Sequence, residues 1–311
     1  MIDIVLLVHD RPEFTRDCLE SLSGEHFFRM IAVDNASAAE TRDILREYRD
    51  RGVINRLVLL DRNYGVAPAA NLGWELTSAD VVVRLDNDIR FTDPQRLAQM
   101  AEIVAANPGK PLGALSFDFF AREGRQGFPA ILPSGHVVVR PRNGCEVYGG
   151  CVLIARDTFR KLGYWCEDFG QYGYEDSDYG IRLMLAGYAM GFPAKNEGLD
   201  HLGESETRAE YLSFKNAKFE ALRQSAGEHV LAYMLNLRPL TMRRRYRTQW
   251  CGGDHARLIP DPQYRNAEER VQREFSARLR NEGIQVTFPR SSEEAETLQN
   301  VYRRLRSDGR Q

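Results

Sequence analysis

The sequence predicts an α/β fold built on a mostly parallel central sheet flanked by helices. Three observations carry that expectation. Apolar runs of strand length recur four times within the first 85 residues, helix-period sequence separates them, and the connections between them are short. Each run also ends in a polar turn, and in such folds the ligand crevice lies beyond the carboxyl ends of the strands.

The first run, Ile2 to Val8, is apolar apart from Asp3, the pattern of a strand covered on both faces. It ends at His9-Asp10-Arg11-Pro12. A helix is expected from Glu13 to Leu22, with Phe14, Cys18, Leu19 and Leu22 on one side. The second strand, Phe28 to Val33, ends at Asp34-Asn35-Ala36-Ser37, and a helix follows over Ala39 to Asp50. The third, Arg56 to Leu60, leads into Asn63-Tyr64-Gly65 and a helix over Pro68 to Leu76. The fourth, Ala79 to Leu85, runs into Asp86-Asn87-Asp88.

The last turn organises the chain. An ionised carboxylate is costly to bury alone, so Asp86 and Asp88 end the strand as core. Two carboxylates one residue apart suit a hard divalent cation, Mn²⁺ or Mg²⁺, shared with substrate phosphates. An Asx turn capping a helix near Asp93-Pro94 accounts for the same residues. Asp34 likewise reads either as a helix cap or as an acceptor for a base or ribose.

Further on, a helix over Pro94 to Ala106 precedes expected strands at Pro111 to Phe117, His136 to Arg140 and Tyr148 to Ala155. Phe119 to Pro133 reads as a loop with short strand pieces. Gly149-Gly150 permits another group to approach the backbone closely. After a short helix, Arg156 to Leu162, comes an aromatic, glycine-rich loop, Phe169 to Tyr174. It suits the wall of a sugar or planar substrate. Glu175-Asp176-Ser177-Asp178 opens the next helix, where acidic residues are also expected from capping and the helix dipole. A strand over Gly187 to Phe192 follows, and His201 comes soon after it.

Composition bounds the function. The 311 residues hold 43% hydrophobic and 28% charged side chains, ordinary for a globular protein, and the net charge of -2 gives no global field to attract nucleic acid. There is no Gly-rich dinucleotide loop after the first strand and no Lys-Ser or Lys-Thr phosphate loop. Five scattered cysteines, Cys18, Cys145, Cys151, Cys166 and Cys251, do not form a disulfide or zinc pattern. No signal segment and no run of about 18 apolar residues is present, so a cytoplasmic protein is expected, with contact at a membrane surface left open.

Taken together, these motifs resemble family 2 glycosyltransferases of the GT-A fold. The resemblance rests on Val5 to Pro12, Val33-Asp34-Asn35-Ala36-Ser37, Asn63-Tyr64-Gly65-Val66-Ala67 with Ala70-Asn71-Leu72-Gly73, Leu85-Asp86-Asn87-Asp88, Gly149-Gly150, and Tyr174 to Asp178 with Arg182 and Gly187. It implies a nucleotide-sugar-binding catalytic domain over residues 1–205 and a mainly helical extension over 206–311. The donor side would comprise Val8, His9, Asp34, Asn63, Gly65, Asp86 and Arg182, with Asp34 toward the base. Asp88, Asp86 and His201 would hold Mn²⁺ or Mg²⁺. Asp176 would be the catalytic base of an inverting enzyme, with Gly150, Tyr174, Glu175 and Asp178 on the acceptor side. The donor implied is a nucleoside diphosphate sugar, with a UDP-sugar favoured, and the acceptor a glycan, lipid-linked or small molecule. A nucleotidyltransferase of similar fold and a non-catalytic nucleotide-sugar-binding module are the alternatives.

The resemblance says little about the last third. Glu206 to Leu235 reads as helical, with Tyr211, Phe214, Phe219 and Leu222 as buried candidates. Met242 to Arg247 is a basic patch, read as a solvated helix face or a set of ion pairs, with an anionic ligand as the other use. Ala267 to Leu279 reads as a helix, Ile284 to Phe288 as a strand, and a last helix starts at Ser291 or Ser292 and ends near Leu305. The region is expected to serve as an acceptor-side lid or an oligomer contact.

Overall fold

A computed structural model describes residues 1–117, 127–141, 147–195, 197–205 and 209–308. The N-terminal part alternates as expected: β1 (Ile2–Val8), α1 (Pro12–Ser21), β2 (Phe28–Asp34), α2 (Ala39–Asp50), β3 (Arg56–Leu60), α3 (Val66–Glu75) and β4 (Val81–Asp86). Then come β5 (Ile89–Phe91), α4 (Gln95–Ala106), β6 (Ala114–Ser116), β7 (Phe128–Ile131), β8 (Val137–Arg140), β9 (Cys151–Ala155), α5 (Arg156–Leu162), α6 (Glu175–Leu185), β10 (Met190–Pro193) and β11 (Leu199–His201). The C-terminal part holds α7 (Ala209–Met234), β12 (Tyr246–Gly252), β13 (His255–Pro260), α8 (Pro262–Asn281) and α9 (Ser292–Asp308). Residues 118–126 of the expected loop and Cys145 lie outside the described residues, as does the side chain of Tyr211.

Eleven strands form one sheet in the order β12-β13-β3-β2-β1-β4-β9-β6-β10-β8-β7. Its run β13-β3-β2-β1-β4 is parallel throughout, and β9 enters antiparallel to β4. The fold is thus the α/β type, a mostly parallel sheet flanked by helices, that the sequence led us to expect. Register brings the strand ends level: Val8 pairs with Asp34, and Leu7 with Asp86. Chain order reverses between β1 and β4, so a crevice opens beyond the ends of these two strands.

Successive side chains of a strand point to opposite faces, and both faces of this sheet are covered. Ile4, Leu6, Met30 and Val83 join one apolar cluster with α1, α2 and α4; Val5, Leu7, Val33 and Val82 join another with α3 and α6. A third cluster unites Phe169, Tyr174 and Ile181 with apolar residues of α7, α8 and α9.

Three expectations for the last third need correction. Phe214, a buried candidate, is 50% exposed. Ile284 to Phe288 is not a strand. Ile284 and Val286 are buried beneath the C-terminal helices, and Phe288 N–H donates to the Arg223 carbonyl of α7 at 2.9 Å, so helix packing takes up the apolar alternation. Of the two readings of the basic patch, the helix face fails and the ion pairs hold. Arg243 to Arg245 are ion-paired, to Glu268, Glu75 and Glu269 respectively, and Tyr246 begins a hairpin whose second strand pairs parallel with β3. Its exposed Arg and Trp side chains hide the alternation that marks a half-buried strand.

Candidate active site

A cavity of about 340 Å³ lies at the reversal point. Val8 and His9 line it from the end of β1, Asn63 from the end of β3, and Asp86, Asn87 and Asp88 from the end of β4. His201 arrives from a distant part of the chain. The small ribbon formed by β5 and β11 sets His201 opposite Ile89, and Leu202 N–H donates to the Asp88 carbonyl at 2.7 Å. His201 Nε2 then stands 3.5 Å from Asp88 Oδ2.

The turn itself is held rigidly. Asp86 N–H donates to the Gly150 carbonyl at 2.9 Å, and Asn87 N–H to the Leu7 carbonyl at 3.1 Å. Asn87 Nδ2 donates to Thr15 Oγ1 at 2.7 Å and to the Asp10 carbonyl at 3.0 Å. Both carboxylates are therefore fixed by main-chain contacts of their own segment, leaving their oxygens for other partners. Asp88 Oδ2 accepts from Arg11 Nη1 at 2.7 Å. Asp86 Oδ1 is sealed from solvent without a hydrogen-bond partner among the described residues, 3.5 Å from Arg84 Nε. Burial pushes the Asp86 carboxyl up to about 7, with Asp88 and Glu175 adding to the rise and Arg84 opposing it.

Arg84 joins this turn to the start of α6. It sits in the middle of an apolar strand, 2% exposed, and donates through Nη2 to Glu175 Oε1 at 3.1 Å. The close approach requires glycine at 149: a Cβ there would lie 2.6 Å from Arg84 Nη2. Asp176 accepts from the Gly149 and Ser177 backbone N–H groups, the latter at 2.7 Å. Burial, and then Glu175, raise its carboxyl to about 6 against the pull of Arg84.

Asn63 Oδ1 accepts from Asn35 Nδ2 at 3.0 Å and from Gly65 N–H at 2.8 Å, and Asn63 Nδ2 pairs with His9 Nε2 at 3.0 Å. Gly65 has φ +98°, and a Cβ there would lie 2.6 Å from the Gly170 carbonyl oxygen. The glycine thus lets the aromatic loop close over this segment, so that Gln171 and Tyr172 line the cavity.

Other expected site residues lie elsewhere. Asp34 is fully buried. Its Oδ2 accepts from Arg42 Nε at 2.8 Å and its Oδ1 from Ser37 N–H at 3.0 Å, so the residue anchors the start of α2 and Asn35 takes the place on the cavity wall. Arg182 is also fully buried; it donates to Asp178 Oδ2 at 2.7 Å and to the carbonyls of Leu162, Tyr164 and Leu240. Asp178 accepts in addition from the Tyr233 hydroxyl at 2.7 Å. These two charges lock α6 to α7. Tyr174 packs against Phe219 and Phe288 and, with φ 64°, starts α6.

Arg11, Asn35 and Arg84 are site residues beyond those expected from the sequence. Arg84 carried a signal, since a charge inside an apolar strand demands a partner. Arg11 carried none: a residue before proline is steered to extended backbone, whereas Arg11 takes the left-handed region at φ 60°, as does Asp10 at 53°.

Among the described residues, the ligand atoms of Cys166, Asp178 and His229 form the one set of three lying within 4.8 Å of one another. It is an unsuitable cation site. Arg238 Nη1 lies 2.7 Å from His229 Nε2, and Asp178 is taken up by Arg182.

A parallel sheet with acidic turns at its reversal point defines the class: a GT-A glycosyltransferase fold. Residues 3–162, just over half of the chain, match the model of glycosyl transferase family 2, and the chain belongs to that family. Over 234 residues it is 26% identical to the O-antigen biosynthesis protein RfbC of Myxococcus xanthus, covering 67% of this chain and 18% of that protein. Over 109 residues it is 35% identical to an undecaprenyl-phosphate 4-deoxy-4-formamido-L-arabinose transferase of Pseudomonas syringae, covering 32% of each. The matches thus span a third or less of those two relatives. The mannosyltransferase PcManGT of Pyrobaculum calidifontis, solved with GDP-Man and Mn²⁺, superposes over 96% of this chain and 78% of its own, with TM-score 0.55 and 15% identity. S. aureus TarS residues 1–349 with UDP superposes over 76% of this chain and 65% of its own, with TM-score 0.52 and 14% identity. No helix among the described residues is long and apolar enough to cross a membrane.

Proposed function

We propose that the chain transfers a sugar, with inversion, from a nucleoside diphosphate sugar to an acceptor hydroxyl, in a reaction that depends on a divalent cation. The observation that carries this reading is the pairing of the acidic turn with Asp176 through Arg84. One side chain spans from the Asp86 carboxylate to the Glu175-Asp176 segment. Donor and acceptor chemistry would then share one rigid frame.

The residues present fit a hard cation. Asp88 and Asp86 offer oxygens, His201 one imidazole, and Asp86 Oδ1 is a buried acceptor without a hydrogen-bond partner among the described residues. Arg11 pairs with Asp88 Oδ2 at 2.7 Å, and this guanidinium would have to leave that oxygen for a cation to take it. When bound, Mn²⁺ or Mg²⁺ would supply charge compensation for the leaving diphosphate. Asn35, Asn63 and His9 would hold the nucleotide, and Gln171 and Tyr172 would cover the sugar. Asp176 would take the acceptor proton as the hydroxyl attacks the anomeric carbon from the opposite face. Its raised pKa makes it a better base than an ordinary carboxylate while leaving it ionised at neutral pH. The activities of the matched enzymes support this direction, and the undecaprenyl phosphate of the Pseudomonas transferase makes a lipid-linked acceptor one to test.

A screen of nucleotide sugars with Mn²⁺, read as release of nucleoside diphosphate, tests the proposal. Release from one sugar donor that stops on chelation is the expected result. No release from any donor, with or without metal, overturns it.

A further inference from the structure

A second cleft, of about 450 Å³, lies outside the catalytic cavity, between the β12 hairpin, the end of α3 and the segment after α5. Arg243, Arg244 and Arg247 line it together with Tyr164, Tyr246 and Trp250. Arg244 is 7% exposed, and Nη1 donates to Thr248 Oγ1 at 3.0 Å and to Glu75. Among the described residues its Nε and Nη2 have no hydrogen-bond partner, although Nε lies 3.6 Å from Glu167 Oε1. A guanidinium held so deeply at the edge of a cleft is costly, because two of its nitrogens go unbonded. Arg243 is half exposed and pairs with Glu268, and Arg247 is exposed. Trp250 is 41% exposed, with Arg56 stacked over its ring at 4.9 Å.

We infer that this cleft binds an anionic sugar. The positive groups suit an oxyanion, since guanidinium forks match carboxylate and phosphate geometry. The aromatic rings supply apolar faces of the kind that pack against a sugar ring. Glu75 and Asp261 share the wall. Two carboxylates repel a bare inorganic anion yet accept hydrogen bonds from hydroxyl groups, so a charged polyol fits better than free phosphate. The volume lies within the range of small-molecule sites. The inference stands apart from the transfer reaction proposed above, for none of these residues lines the catalytic cavity. A uronic acid and a sugar phosphate share the required chemistry, and the experiment separates them.

Binding of glucuronate, glucose 1-phosphate, glucose and inorganic phosphate to the full chain, followed by ligand-observed NMR, tests the inference. At least one of the two anionic sugars is expected to bind more tightly than glucose and inorganic phosphate; which one identifies the anion as carboxylate or phosphate. The Arg243→Gln/Arg247→Gln double variant, which leaves the buried Arg244 intact, should weaken that binding by about ten-fold. Trp250→Ala should weaken it as well, whereas Asp88→Ala should leave it unchanged. Failure of both anionic sugars to bind, inorganic phosphate binding equally well, or loss of binding in Asp88→Ala but not in the double arginine variant would overturn the inference.

Discussion

Asp176 and Asp178 lie two residues apart on the first turn of one helix, yet they occupy opposite chemical worlds. Asp178 is enclosed by Arg182 and Tyr233, and Arg238, over the Tyr233 ring at 5.8 Å, joins this pair to a second lattice of Asp168, His229 and Tyr264. Asp176 faces Gly149 and the Arg84 bridge, where burial, and then the neighbouring Glu175, raise its pKa. The lattice is close-knit and tied to packing; the bridge leaves charge in reserve. The same residue type two steps along a helix therefore serves stability in one place and, on the proposed reading, chemistry in the other. Partners and burial decide, not the acidic motif.

The largest effect should come from the reserve side. Asp176→Asn keeps the shape and removes the base, so kcat should fall roughly 10²- to 10⁴-fold while donor KM stays near wild type. Near-normal turnover would erase the distinction between the two aspartates. On the lattice side, Arg182→Met strands Asp178 in the interior and should lower stability by about 3–5 kcal/mol, read in a denaturant titration. If that variant instead kept its stability and lost donor affinity, Arg182 would be a phosphate ligand after all.

Gly65→Ala probes the frame between the two regions. A Cβ at positive φ against the Gly170 carbonyl should cost about 1–3 kcal/mol and raise donor KM by displacing the aromatic loop. Unchanged stability and KM would show that the loop closes without this contact. The smallest effect concerns pH. Asp176 must be ionised to act, so kcat should climb as pH rises through about 6 and level off above it. Because its folded pKa lies above the usual carboxylate value, this group binds protons more tightly in the folded state. Its contribution to stability therefore declines as pH rises from about 4 to about 6. A profile flat across that range would remove Asp176 as the titrating base.

Much of the sheet was legible because β1 to β4 are buried on both faces, and continuous apolar runs leave few other readings. The acidic turn was legible because carboxylates cannot continue such a run. His201 emerged only through family resemblance, since its place depends on a three-residue ribbon with no pattern of its own. Asp34 illustrates the limit at short range. Sequence left cap and base contact open, and Arg42, in the first turn of the next helix, is the partner that turns the carboxylate inward. The β12 hairpin escaped because arginines and an exposed tryptophan cover an edge strand, where burial imposes no alternation.

The most direct test of the central claim is calorimetric titration of a nucleoside diphosphate, drawn from a UDP and GDP panel, into wild-type protein and Asp88→Ala, each with and without Mn²⁺. The account predicts that Mn²⁺ tightens binding to wild type and that Asp88→Ala abolishes this gain. Equal affinities for both proteins, unmoved by Mn²⁺, would contradict it.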